Sequence, residues 1–595
     1  MIVPPPRRRL VLNVLQEHFG DLVEHVASVL MKADDDGYTL REIVVHAMAS
    51  PPPQLQPTPT AQHIKTALLK LLQHNLLDIK ATWLPENANK KQKVPYSIRY
   101  QLNHEEAQVR LRFGRYIELA RDVFGEEGEI IMEELLVNGR VRLDQSLSSM
   151  AFNLVEQRRL AKGDPDAPPA DENELEDLKH VLRAKFHEMA KNRYIVRVHP
   201  LDFNKKITVD SVDAGETEFV PSGVAPAEDT TVRKAKRRGT PAVADSSIPI
   251  EIQLMMQDED AAEPSISETA DSDAPSKKRR RLKQAKLPTV GADTTGLQGS
   301  EDVSLKEENA IWRAGLTQLT RELRHRTCIR YAGEVFNTAT QAIVAAMLAH
   351  SSPHERDANE ATSVPMTARE LLAVPTVDAE IPAKPDKFTM LVKYLTAMCQ
   401  HASGMVTQTA PDTFNKAERT NDGGSYSVHM RNIVKTLQRK SIHSFVHEKY
   451  GAASARLVRV ITDQRQVEQK TLGEMALLPA AETRTRLFDM YRDKLLNLQE
   501  IPKRADYNPQ FTLYCWSIDD NRLTRRLVER TQESLVKLRT RRKLEAESHK
   551  DLITRSDQLV EQHDKEKFDR VSWSLDRLDR SILHLDRMLM LFDQF

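Results

Sequence analysis

Thr39-Leu-Arg-Glu42-Ile43, Thr367-Ala-Arg-Glu370-Leu371 and Thr471-Leu-Gly-Glu474-Met475 repeat one short signal: a threonine, a glutamate three residues on, and an aliphatic residue behind it. The spacing is that of a capping box, in which the threonine oxygen accepts from the amide three residues ahead and the glutamate reaches back. Each copy therefore predicts the start of a short helix. Ile131-Met-Glu-Glu134-Leu135 is a fourth, weaker copy without the threonine.

Working outward, each copy is preceded by one apolar-periodic helix and followed by another. The followers carry Ile64, Leu68, Leu71 and Leu72; Leu178, Val181, Leu182 and Phe186; Phe388, Leu391, Val392 and Leu395; and Leu487, Tyr491 and Leu495. Short β-type stretches come next, at 76–79, 194–198, 405–407 and 498–501, and a second such stretch returns at 96–100, 426–429 and 511–514. Helix, short capped helix, long helix and two-stranded ribbon is the winged-helix order. The expected fold is mainly α with small β wings: winged helices over 1–103, 104–203, 306–430 and 431–517, and a coiled coil over 518–595. Between Phe203 and Trp312 the only aromatic is Phe219, so 204–305 is expected to be a disordered linker.

The C-terminal stretch has no proline after Pro509 and no glycine after Gly473. Phe568, Val571, Leu575, Leu578, Ile582, Leu585, Leu589 and Phe592 recur at steps of three and four, a heptad seam. Val528, Leu535, Leu538, Leu552 and Leu559 follow another register, so an antiparallel hairpin reversing over 561–567 is expected, against a single bent coil.

The chain has 595 residues with 86 basic and 86 acidic side chains, so any nucleic-acid surface must be local. No Gly-Lys pair exists to build a P-loop, and the three cysteines are too far apart for a zinc ribbon or a disulfide framework. A reducing compartment and a soluble intracellular protein are expected, with no membrane span. No catalytic site is legible. Asp34-Asp35-Asp36 reads as a turn before the Thr39 cap, Asp271 and Asp273 fall in the linker, and His443 and His447 lack a third ligand. Neither metal nor cofactor is expected.

Candidate nucleic-acid contacts are Lys65 and Lys70 on the third helix of the first unit, and Lys90, Lys91 and Lys93 on its wing. Arg431, Lys435 and Arg439 make a second basic stripe, suited to backbone contact. The acidic run Gly125-Glu-Glu-Gly-Glu129 suits protein docking instead. Lys277, Lys278, Arg279, Arg280 and Arg281 form a nuclear-import candidate in the linker, with Arg233 to Arg238 as another basic run.

The order Arg7 to Leu15, Val23 to Leu30, His63 to Leu72 and Tyr96-Ser-Ile-Arg-Tyr100, with Arg115-Tyr116-Ile117, Glu133 to Gly139 and the ending Leu575 to Leu589, resembles a known family. It is the winged-helix subunit of RNA polymerase III, related to the alpha chain of TFIIE. The resemblance implies four extended winged helices and a coiled coil, and a nuclear, non-catalytic subunit in a heterotrimer with two further subunits on the clamp of the largest subunit. It also implies help in recruiting TFIIIB and contact with melted promoter DNA during transcription of small non-coding RNA genes. The alternatives are a free winged-helix transcription factor of the TFIIE-alpha type and, more remotely, a cytoplasmic winged-helix scaffold. TFIIE alpha carries a zinc ribbon whose cysteine pairs are missing here, which favours the polymerase subunit.

Overall fold

The computed structural model describes residues 4–33, 36–49, 59–82, 97–162, 172–198, 310–355, 357–382, 386–411, 414–415, 420–421, 423–502, 512–555 and 562–595. These residues are mostly helical, with small antiparallel sheets. Residues 1–116 with 316–595 form one compact unit, and 117–315 form a second.

Four of the sheets have three strands each and one common order, with the last strand of each in the centre. In the first, Ser97–Leu102 lies between Tyr38–Thr39 and Leu77–Thr82. In the third, Ser425–Val428 lies between Met366–Thr367 and Val406–Ala410. In the fourth, Thr512–Ser517 lies between Gln466–Glu468 and Asn497–Pro502. The connection from first to second strand always runs through helices: Leu40–Ala49 and Ala61–Gln73 in the first case, Gln469–Met475 and Ala480–Arg492 in the last.

In the first, second and fourth cases the long helix before the second strand ends in the same turn. Asn75, Arg193 and Lys494 have φ of 57°, 64° and 62°, and each is followed by a buried residue: Leu76, Tyr194 and Leu495. In the third, the helix Lys387–Gln400 ends in the extended His401, and Gly404 closes a separate turn onto the His401 carbonyl. The amides of Leu76, Tyr194 and Leu495 reach back to the carbonyls of Leu71, Met189 and Met490 at 2.9, 2.9 and 3.0 Å. This αL cap turns the chain from helix into strand and satisfies a carbonyl the helix leaves free.

The second sheet corrects the expected boundaries. Its central strand, Ile311–Ala314, lies in the range assigned to the third winged helix, yet it pairs with Val141–Arg142 and Ile195–Arg197. Trp312, only 2% exposed, stands opposite Val141 and Arg197 and packs edge-on to Phe186 at 5.3 Å. The segment 204–305 thus joins two strands of one sheet rather than two domains. That segment, with Lys277 to Arg281 and Arg233 to Arg238, lies outside the described residues.

Two capping boxes stand as read. Thr39 Oγ1 accepts from Glu42 N at 3.4 Å while Glu42 accepts from Thr39 N at 2.8 Å, and Thr367 with Glu370 does the same at 3.2 and 2.8 Å. The other two do not. Thr471 lies inside the helix Gln469–Met475, because the strand ending at Glu468 runs straight into it. Ile131 to Leu135 lies in the middle of Glu126–Asn138, and the helix in the matching position is Leu143–Lys162, which starts directly after Val141–Arg142 and is long rather than short.

At the C-terminus, helices Asp520–Ser548 and Gln562–Asp593 lie side by side in opposite directions. Leu523 and Leu527 share a core with Phe592, and further along Arg542 meets Asp579 at 2.5 Å. All eight seam residues are buried or half-buried, with Val571, Ile582 and Leu589 innermost. The reversal falls earlier than 561–567, since the second helix already includes 562–567; Leu559 lies outside the described residues. The N-terminal helix Pro5–Phe19 packs on the first of the two, and Leu10 and Val14 join Leu535, Ile582 and Leu589 in one core. The C-terminal helices are therefore a scaffold for the start of the chain, with Arg539 bonded to Asn13 at 2.9 Å and to Glu17 at 2.5 Å.

Candidate nucleic-acid and partner-binding surfaces

The third helix of the first unit, Ala61–Gln73, is held by Thr60, whose side chain accepts from His63 N at 3.4 Å. Ile64, Ala67, Leu68 and Leu71 turn inward, which leaves Gln62, Lys65, Thr66, Leu69 and Lys70 exposed. Lys65 and Lys70 thus stand on solvent as expected of a phosphate-contacting face, with Leu69 62% exposed between them. Lys90, Lys91 and Lys93 lie outside the described residues.

Arg431, Lys435 and Arg439 are exposed on the helix Met430–Gln464, whose opposite side buries Met430, Ile433 and Val434. None of the three has an ion pair among the described residues. They do not form a convex helix face. They line a groove whose other wall is Arg7 of the N-terminal helix and Arg525 and Glu529 of the first C-terminal helix. The helix itself bends at Gly451, where φ is 84°. The Tyr450 carbonyl freed there accepts from Arg486 at 3.0 Å. Beside it Asp493 gathers Lys449 at 2.6 Å, Arg530 at 3.2 Å and the Tyr450 hydroxyl. Hydrogen bonds from Lys449 and Tyr450 hold that carboxylate well below its ordinary range. Side chains from two other helices therefore brace the bend.

His443 and His447 lie on the arm before the bend. Burial, and then Arg459 and His447, lower the His443 imidazole from its usual value. No group of three metal-ligating side chains occurs among the described residues. Cys328, Cys399 and Cys515 are free, and burial pushes the Cys328 thiol up to about 12. No described helix is long and apolar enough to cross a membrane. In the second unit, Glu126 and Glu127 pair with Arg158 at 3.4 and 2.9 Å and Glu129 with Arg121 at 3.5 Å. Much of the acidic run is therefore committed inside that unit and to its own helix N-terminus.

A buried centre escaped the sequence reading. Asp586 is fully buried on the last helix and meets Arg112 and Arg115 at 3.2 Å each, with the Arg112 side chain equally enclosed. Arg112 also donates to Gln594, and Arg115 to the Leu583 carbonyl. The triad ties the chain following the first sheet to the C-terminal end. Its only trace in sequence is an aspartate one step beside the seam leucine Leu585.

Two family models match this architecture. The C-terminal winged-helix domain of POLR3C matches residues 442–518, the fourth sheet with its helices, and the RNA polymerase III subunit RPC82 model matches residues 184–377. Both models describe RNA polymerase III subunits, so these two stretches are similar to domains of that polymerase. DNA-directed RNA polymerase III subunit RPC3 of Homo sapiens is 22% identical across 99% of this chain and 97% of its own length. The Danio rerio RPC3 is 24% identical over 93% of this chain and 86% of its own, and the Dictyostelium discoideum protein 21% over 98% and 99%. The likeness to RPC3 thus runs nearly end to end and bears out the family resemblance.

Proposed function

We propose that the chain is a non-catalytic subunit of DNA-directed RNA polymerase III, acting in the nucleus in initiation at small non-coding RNA genes. The observation that carries this reading is the end-to-end likeness to RPC3 proteins, over a chain in which one strand order recurs in four sheets. Each such sheet with its helices reads as one winged helix, and the paired C-terminal helices read as the coiled coil. The likeness supports association with the other polymerase III subunits. Within that reading the partners are the clamp of the largest subunit, two heterotrimer subunits and TFIIIB.

The mechanism is binding energy directed at DNA opening. Lys65 and Lys70, together with Lys90, Lys91 and Lys93 of the wing, neutralise phosphates of melted promoter DNA. A surface that binds the open state better than the closed one shifts that equilibrium by its differential affinity. The test is transcription in an extract depleted of the chain. Adding back the protein restores synthesis from a tRNA-gene template, and Lys65→Ala with Lys70→Ala restores it only at low salt. Single-strand binding by that variant loses about 1.4 from the slope of log affinity against log salt, the share of two phosphates. Full transcription by the depleted extract would sink the subunit reading, and an unchanged slope would remove this helix from it.

A further inference from the structure

The bend at Gly451 folds the helix Met430–Gln464 into two arms which, with the start of Asp520–Ser548, enclose a cavity of ≈ 490 Å³. Its floor is aliphatic: Ile442, Val458, Ile518 and Leu523, all part of the fourth core, which lies beneath the fourth sheet. Its rim is cationic, with Arg439, Lys440 and Arg459. Through Arg439, Ile442 and Asp520 it opens into the groove lined by Arg7, Arg431, Lys435 and Arg525.

We infer that this continuous groove docks an acidic peptide segment of a partner protein, with an aliphatic side chain of that segment seated between the two helix arms. Charge complementarity points there. Cations outnumber carboxylates along the lining, and two of the carboxylates are already engaged: Glu529 with Arg526 at 3.0 Å, and Asp593 with Gln108 at 3.2 Å. Arg431, Lys435 and Arg439 hold no ion pair of their own among the described residues, so their charge is available to a ligand.

The floor decides between a peptide and a nucleic acid. A single strand is held by bases stacking on exposed aromatic rings, and the only aromatic side chain in the lining besides the two histidines is the half-buried Phe592, packed into the fourth core. Asp463 and Asp520 stand on the lining, where they can accept hydrogen bonds from peptide amides, donors that a phosphodiester backbone lacks. An aliphatic anchor in a desolvated pocket, ringed by charged contacts, is the usual anatomy of a protein interface. The cavity also falls within the roughly 300–1,000 Å³ of typical ligand sites. This inference goes beyond the polymerase reading, since it names a site and the chemistry of what fills it.

The test uses the full chain and fluorescence anisotropy with a labelled peptide, Asp-Glu-Asp-Leu-Glu-Glu-Leu-Asp. Its controls are the same peptide with both leucines replaced by serine, and an unlabelled oligomer of twelve thymidines. The leucine peptide is expected to bind at least tenfold tighter than the serine peptide. Lys435→Glu with Arg439→Glu weakens it tenfold or more, as does Arg459→Glu, while Arg580→Glu on the outer face of the last helix leaves it unchanged. These side chains are exposed, so unfolding midpoints stay in place and loss of binding is read directly. Equal affinity for the two peptides, or equal weakening by Arg580→Glu, overturns the inference as mere net attraction. Displacement by the thymidine oligomer that is itself lost in Lys435→Glu with Arg439→Glu overturns it in favour of nucleic acid. Each of these leaves recovery of the chain with polymerase III untouched, so the two claims fail separately.

Discussion

The last helix carries two aspartates with arginine partners at nearly the same distance. Asp586 sits 3.2 Å from Arg112 and Arg115, and Asp576 sits 3.3 Å from Arg580. The Asp586 side chain is 0% exposed, whereas Asp576 and Arg580 are 67% and 81% exposed. The difference teaches that surroundings, not separation, set what an ion pair does. In water the attraction is screened and offset by the entropy of two long side chains, so a surface pair contributes little. In the core, neither partner can return to water if the other is lost, so the pair enforces one arrangement even where its net stabilisation is small.

The sharpest way to break that comparison is to remove each carboxylate. Asp586→Asn leaves two buried guanidiniums uncompensated and is expected to cost about 3–5 kcal/mol in urea unfolding. Asp576→Asn is expected to cost less than about 0.5 kcal/mol. Replacing the triad together, with Asp586→Leu, Arg112→Met and Arg115→Met, should recover most of the loss, since no charge is then stranded. Equal costs at the two aspartates would mean that the enclosed site is wetter than its burial shows.

A second contrast is between ionisable groups near the same N-terminal helix. Burial, then Arg110 and Arg539, lower the His18 imidazole to about 4, and burial, then Arg110 and His18, lower His74 to about 4. A base whose folded pKa is depressed must be neutral in the folded state. Its stabilisation is complete above the ordinary histidine value of 6.5 and is lost as pH falls from there toward 4. Melting temperature should drop across that window, and His74→Gln should flatten the slope. Glu42 is lowered by its bonds to the Thr39 amide and hydroxyl, so its contribution is complete down to the ordinary carboxylate value of 4.5 and is lost below it, through the lowered pKa. A melting temperature flat between pH 6.5 and 4 would remove the histidines from the account.

The smallest effect compares two threonines that look alike in sequence. Thr39→Ala removes a helix cap and should cost about 1 kcal/mol, while Thr471→Ala, inside its helix, should change stability by only a few tenths. Loss of similar size at both would restore the third capping box.

Thr39 and Thr471 also show how far the sequence was legible. Period and capping spacing are local properties, so they located the long helices, the wing strands at 77–82, 406–410 and 497–502, and the heptad seam. They failed where the deciding partner is remote. Ile311–Ala314 has too few residues to declare itself, and only Val141 and Ile195 make it a central strand. The αL cap at Asn75 uses a residue suited to that conformation, but Arg193 and Lys494 do the same work with none of the signal. Among the binding candidates, exposure of Lys65, Lys70, Arg431, Lys435 and Arg439 followed from periodicity. The groove around the last three did not, because its other wall comes from the first and last stretches of the chain. Asp586 was hidden for the same reason: an aspartate on a charged helix reads as surface until Arg112 and Arg115 arrive from far upstream.

The most direct test of the central claim is a tagged purification of the full chain from nuclear extract, washed at moderate salt, with the bound proteins identified by mass spectrometry. The account predicts the polymerase III core, its largest subunit near stoichiometric with the tagged chain. Recovery of the chain alone, or as a homodimer, would contradict it.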